Sequence, residues 1–125
     1  MIVSIGIDIV EVYRIAETMT RTPRFRERVF TEAERAYCDA KGAAAAQSFA
    51  GRFAAKEAFL KALQTGWRGK ITWHDIEILS DDQGVPTLNI SGEASTLFKN
   101  TGAVHAHLSI SHTAEHAVAQ IIFEK

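Results

Sequence analysis

The chain opens on an alternation. Val3, Ile5, Ile7 and Ile9 fall on one side, and Ser4, Gly6, Asp8 and Val10 on the other. This predicts a β-strand over residues 2–10 with one oily face, and Asp8 near the end of the smaller, more polar face. From Glu11 to about Thr20 the period turns helical, with Val12, Ile15, Ala16 and Met19 as its stripe. Pro23 interrupts the stripe, a short arginine-rich helix is expected next, and Thr31 with Glu34 forms a capping box for a helix to about Ala40. The longest helix is predicted over 43 to about 65. Phe49, Phe53, Phe59, Leu60 and Leu63 cluster on one side of it, while Ala50, Ala54, Ala58 and Ala62 take much of the other. Such a helix is expected to be buried over most of its circumference, with Gly66 and Gly69 as its end. A hairpin follows, 76–79 and 86–90 around a turn at 80–84. Ser91 is placed as the cap of a short helix ending near Gly102. Two strands, about 104–111 and 117–123, close the chain through residues 112–116. The order strand, helices, then mostly strands predicts an α+β fold, and the length fits one domain over 1–125.

Composition adds little to the fold and narrows the function. With 46% apolar and 23% charged residues and a net charge of −1, the chain reads as a soluble globular protein. No run approaches a membrane span, and no basic leader or cleavage site opens the chain, so a cytoplasmic location is expected and no membrane partner. The single cysteine, Cys38, excludes an internal disulfide framework and a cysteine-rich zinc site. Charge is uneven locally: Arg14, Arg21, Arg24, Arg26 and Arg28 face only Glu17 and Glu27 in that stretch. This is either a solvated helical face or a docking surface for an acidic partner. Nucleic acid is not expected, because the chain as a whole is not basic.

Candidate chemistry comes from residues that break the pattern. Arg52 and Lys56 project into the sector of Phe49, Phe59 and Leu63, and Glu57 and Lys61 flank it in the Glu-before-Lys spacing of a helical salt bridge. These four charges are either a decorated surface or a pocket for a polyanion with a divalent cation. Asp8 is either a cap for the following helix or, with open space beside Gly6, a ligand position. Asp8 and Glu57 together would supply two hard oxygen ligands, the usual protein share of a magnesium site. His112 ends the apolar face of Val104, Ala106, Leu108 and Ile110, opposite His105, His107, Ser109 and Ser111. The run His112-Thr113-Ala114-Glu115-His116 matches a zinc-peptidase spelling, but that chemistry needs a helix, and the alternation predicts strand–turn–strand. Glycine-rich phosphate loops and a nucleophile elbow are absent, so any phosphate must be held by side chains and a metal.

Four segments occur in order: Ile5-Gly6-Ile7-Asp8-Ile9-Val10-Glu11, Phe30-Thr31-Glu32-Ala33-Glu34, Phe53-Ala54-Ala55-Lys56-Glu57-Ala58 and Ser109-Ile110-Ser111-His112. From about residue 2 to 123 the chain resembles the holo-(acyl carrier protein) synthases, the small class of 4′-phosphopantetheinyl transferases. The resemblance implies that family's fold, an antiparallel sheet with one long buried helix and several short ones. It implies transfer of the phosphopantetheine arm of coenzyme A to a serine of an apo acyl carrier protein, releasing 3′,5′-ADP, in fatty acid biosynthesis. On it, Asp8 and Glu57 are the magnesium ligands and, with Lys61, the catalytic set. Lys61 faces the pyrophosphate, Arg52 and His112 hold the nucleotide part of coenzyme A, and Arg14 contacts the carrier, with Arg21, Arg24 and Arg28 extending its positive region. The family forms homotrimers with each site between two subunits. Gln64 departs from the pattern, where a small residue, often glycine, is expected. Two other classes share part of these features: a magnesium-dependent pyrophosphate hydrolase using the same Asp8, Glu57 and Lys61, which would need no arginine-rich docking helix, and a non-catalytic module binding coenzyme A or a carrier protein, which would keep the basic surface without needing a metal.

Overall fold

Helix α4, Ala45–Leu63, is the axis around which the rest is laid. A computed structural model describes residues 1–65 and 70–125. Twelve of the nineteen residues of α4 are buried, including Phe49, Phe59, Leu60, Leu63 and all four alanines of the opposite side, as the two-sided pattern requires. Strands β1 (Ile2–Glu11), β4 (His105–His112) and β5 (His116–Glu124) form an antiparallel sheet in the order β1-β5-β4 against α4. Strands β2 (Ile76–Ser80) and β3 (Pro86–Ile90) form a separate hairpin whose turn uses Gly84 at φ 81°. Helices α1 (Val12–Arg21), α2 (Arg24–Val29) and α3 (Glu32–Asp39) lie between β1 and α4 in the chain, and α5 (Gly92–Asn100) between β3 and β4. The fold is α+β, as expected.

Two apolar clusters flank α4. One joins Phe59, Ile76, Ile78, Ile121 and Phe123, with Phe98 closing an aromatic trio around Phe59 and Phe123. The other joins Val12, Ile15, Val29, Phe30 and Phe49, with Phe25 and Phe53 packed on it. The capping box of α3 is present: Thr31 Oγ1 accepts from Glu34 N–H, and the Glu34 carboxylate accepts from Thr31 N–H.

The first strand packs by its small face. Ser4 donates its hydroxyl to the Ala62 carbonyl at 2.7 Å, and a Cβ on Gly6 would stand 1.9 Å from the Ala58 carbonyl oxygen. The space expected beside Gly6 is therefore filled by the backbone of α4, and glycine is needed for that approach rather than for a ligand. The oily face points away: Ile5, Ile7 and Ile9 are 51%, 55% and 67% exposed.

Three local expectations change. Gly66 and Gly69, expected to end α4, lie outside the described residues. The helix stops earlier, at Gln64, whose φ of 63° is left-handed and explains why glycine is the residue expected there. Ser91 occupies the cap position of α5 but makes no side-chain cap bond; the Asp75 carboxylate accepts from Ala94 N–H instead. Lys56 is no part of an open pocket. Its ammonium, fully buried, donates to Glu34 at 2.9 Å and to the carbonyls of Trp73 and Ile76, so all three of its protons are used. Burial pulls the Lys56 pKa down, and Glu34 pulls it part of the way back.

Candidate active site

Asp8, Glu57 and Lys61 meet where the end of β1 crosses α4. Asp8 sits on the strand face turned to the helix, and Glu57 and Lys61 are one turn apart on α4. The Lys61 ammonium donates to Asp8 Oδ1 and to the Ile7 carbonyl, both at 3.0 Å. The expected Glu57–Lys61 bridge is thus replaced by Lys61–Asp8, because the strand end brings a carboxylate to Lys61 from outside the helix. Among the described residues Glu57 has no ion-pair partner of its own, and its pKa is raised, first by desolvation and then by the Asp8 charge, against a lowering pull from Lys61. Two half-buried carboxylates that repel one another are a donor set that a divalent cation relieves. Among the described residues no group of three or more His, Cys, Asp or Glu side chains is placed to hold a metal, so water and phosphate oxygens would have to complete the shell around these two.

A cavity of about 500 Å³ opens beside this pair, lined by Asp8, Val10, Glu11, Arg14, Phe53, Glu57 and His116 among others. Arg14 reaches it from the first turn of α1 and pairs with Glu11 at 3.0 Å, with both side chains well exposed. Glu11 and His116 are cross-strand partners where β1 ends and β5 begins. His116 was not legible as a site residue: the histidine spelling draws attention to a metal, whereas its place here follows from the register of two strands.

Arg52 and His112 lie elsewhere. Both line a second cavity of about 310 Å³ with Tyr37, Lys41, Ser48, Ser80 and others. Glu57 is five residues beyond Arg52, about 140° around and about 7.5 Å along the helix, so α4 shows the two groups to different sides. Arg52 is 5% exposed. It donates to Ser48 Oγ at 3.3 Å and Ser80 Oγ at 2.9 Å and stacks on Tyr37, while its Nε stays buried without a partner. His112 continues the inward face of Ala106, Leu108 and Ile110 to the rim of this cavity. The Tyr37 phenol is held below its ordinary pKa, first by its hydrogen bond with Ser80 and then by Lys41, against the opposing effect of burial. Tyr37, Lys41, Ser48 and Ser80 carried no signal in the sequence, since each sits in a locally ordinary pattern.

Arg21, Arg24 and Arg28 are exposed on α1 and α2, and Arg21 pairs with its neighbour Glu17. Arg26, in the same run, is structural: it holds Asp39 through two bonds and lies over Phe49.

Fold and site together bring paired carboxylates, an arginine-rich edge and two polar cavities into one small α+β domain. The chain belongs to the 4′-phosphopantetheinyl transferase superfamily, whose family model matches residues 4–121. Within it, the relatives are holo-[acyl-carrier-protein] synthases. That of Koribacter versatilis is 50% identical over 125 residues, covering 99% of each chain. Among solved structures, the Bacillus anthracis holo-(acyl-carrier-protein) synthase in complex with CoA (3′,5′-ADP) is 44% identical, with 99% and 97% coverage and a TM-score of 0.80. The Neisseria meningitidis enzyme is 35% identical over the whole of both chains, with a TM-score of 0.87.

Proposed function

We infer that this chain is the transferase that moves the 4′-phosphopantetheine arm of coenzyme A to a serine hydroxyl of an apo acyl carrier protein, as a single domain over 1–125. The observation that carries this reading is the meeting of Asp8, Glu57 and Lys61 beside a cavity that Arg14 also lines. Asp8 and Glu57 would hold magnesium, which when bound supplies positive charge to the pyrophosphate of coenzyme A. Lys61, already aimed at Asp8, is placed to follow the charge that develops on the departing phosphate. Arg52 and His112 hold the nucleotide end. The serine oxygen bonds to the phosphorus attached to pantetheine, the bond from that phosphorus to the bridging oxygen breaks, and 3′,5′-ADP leaves with the electron pair. Glu57, directly or through a water, takes the serine proton.

Arg14, Arg21, Arg24 and Arg28 form the docking edge for an acidic carrier, and long-range attraction there speeds encounter. The exposed face of Ile5, Ile7 and Ile9 is where copies of the chain join in a homotrimer, and the parting of the two cavities on α4 suits a site completed by a neighbour. No helix among the described residues is long and apolar enough to cross a membrane, which suits action in the cytoplasm. The test is to incubate the protein with coenzyme A, magnesium and an apo carrier, then weigh the carrier. A gain of one phosphopantetheine arm is expected. Release of 3′,5′-ADP with an unmodified carrier would make the protein a hydrolase, and binding with neither would make it a module.

A further inference from the structure

Helix α2 is too short to hold its own shape. It has six residues, and Pro23 before it makes no side-chain cap bond. An isolated helix of that length is not stable in water, so its orientation must come from its neighbours. Phe25 packs against the rings of Phe30 and Phe53, each at 6.0 Å between centroids. His74, in the turn before β2, donates from Nε2 to the Glu27 carbonyl at 2.8 Å. The third fastening is ionic. Arg26 Nη1 and Nη2 donate to the two carboxylate oxygens of Asp39 at 2.9 Å and 2.7 Å, and the same guanidinium lies 5.1 Å from the centroid of the Phe49 ring. A two-pronged pair of this kind fixes direction as well as distance, which a point charge does not.

Asp39 gains nothing from its own helix. It is the last residue of α3, where the negative end of the helix dipole disfavours a carboxylate, yet the bond from Arg26 holds its carboxyl below the ordinary range. Arg26 lies about 200° around α2 from Arg24. While Arg26 is clasped against Asp39 and Phe49, Arg24 and Arg28, which share a helical face, are therefore turned to solvent. We propose that the Arg26–Asp39 clamp is a positioning device for the carrier protein: it sets the roll of α2, so that Arg24 and Arg28 are held outward for acidic side chains before the carrier arrives. This rests on the reading of the arginine edge as the docking surface. Arg26 acts through Arg24 and Arg28, and the edge is ordered in folding instead of at encounter. Both members of the clamp are partly exposed, so it adds little to global stability and can be removed with the fold intact.

The deciding variant is Asp39→Ala, because two explanations predict opposite signs. It removes a negative charge beside the docking edge, so if net charge alone governed docking the carrier would bind more tightly. If the clamp positions α2, the Michaelis constant for an apo acyl carrier protein should rise about three- to tenfold, while that for coenzyme A and kcat at saturating carrier stay as in the wild type. Asp39→Glu, which keeps the carboxylate, should retain most of the carrier affinity, and Arg26→Lys, which keeps the charge but not the fork, should fall in between. Hydrogen exchange of the α2 amides, read without any substrate, should quicken in Asp39→Ala. Quickened exchange with a carrier constant that falls or stays put would overturn the positioning role and leave the transferase reading intact. Unchanged exchange would show that the clamp does not hold α2. A wild type that binds no carrier would remove the docking reading and this proposal with it.

Discussion

Glu57 illustrates how one residue can be costly to the fold and, on the function proposed, serve the reaction. Its pKa is raised by desolvation and by Asp8. In the folded protein the charged form is therefore less favourable than in the unfolded chain. That cost is absent below the ordinary carboxylate range and grows as pH rises through the raised value. Glu57→Gln should consequently melt a few degrees higher than the wild type at neutral pH in metal-free buffer, and the gain should vanish on acidification below the ordinary glutamate pKa. Magnesium should raise the melting temperature of the wild type and leave that of the variant unmoved, while transfer falls by more than about 100-fold, beyond what loss of a merely supporting group costs. Scanning calorimetry across pH, with and without magnesium, gives the answer; a variant less stable than wild type at neutral pH without metal would refute the strained-carboxylate reading. The sequence made Asp8, Glu57 and Lys61 visible because each breaks a period that is otherwise kept. It misled about Gly6, since a missing side chain looks the same whether ligand or helix backbone fills the gap. Tyr37 and Lys41 stayed hidden because partnership across four elements leaves no trace in spacing.

At the scale of elements, each α-helix and strand among the described residues was legible, most to within a residue or two, because each is sharply periodic or bounded by a cap, a proline or a turn; the short 3-10 turn Trp73–Asp75 was not. What could not be read was which side of an element meets which neighbour. The oily side of β1 is the more hydrophobic, yet α4 takes the small side, since only glycine and serine let the two backbones approach so closely. Lys56 is the corresponding surprise within α4. A buried ammonium shared by Glu34 and two carbonyls ties α3, α4 and the β2–β3 hairpin together, and Glu34 also accepts from Ile78 N–H at 2.8 Å. Lys56→Met would leave that carboxylate buried without a cation, at a cost of about 3–5 kcal/mol. Changing Glu34→Gln in the same chain should recover a large part, because no uncompensated charge remains. Urea denaturation of both variants measures this, and a Lys56→Met loss below about 1 kcal/mol would mean that the pair is solvated after all.

On the scale of the whole molecule, the exposed isoleucines of β1 are continuous across the sheet with Ile122 and Val118 of β5, which pair with Ile5 and Ile9. A water-facing row of this kind is the mark of a surface made to be covered. Helix α4, meanwhile, turns Glu57 and Arg52 to different sides, about 140° apart. If the trimer assembles each site from the Glu57 side of one subunit and the Arg52 side of the next, then a defect in one half is confined to one face of each chain. Two broken genes should then mend each other. Co-expressed Glu57→Gln and His112→Ala chains, mixed at random in equal amounts, would form about a quarter of their sites from the two sound halves. Transfer by the mixed trimers should exceed the mean of the two variants assayed alone, and heterotrimers no better than that mean would show that each chain carries its site entire. An enzyme of this size would thus obey a genetics of neighbours, in which the unit that succeeds or fails is the seam between two copies.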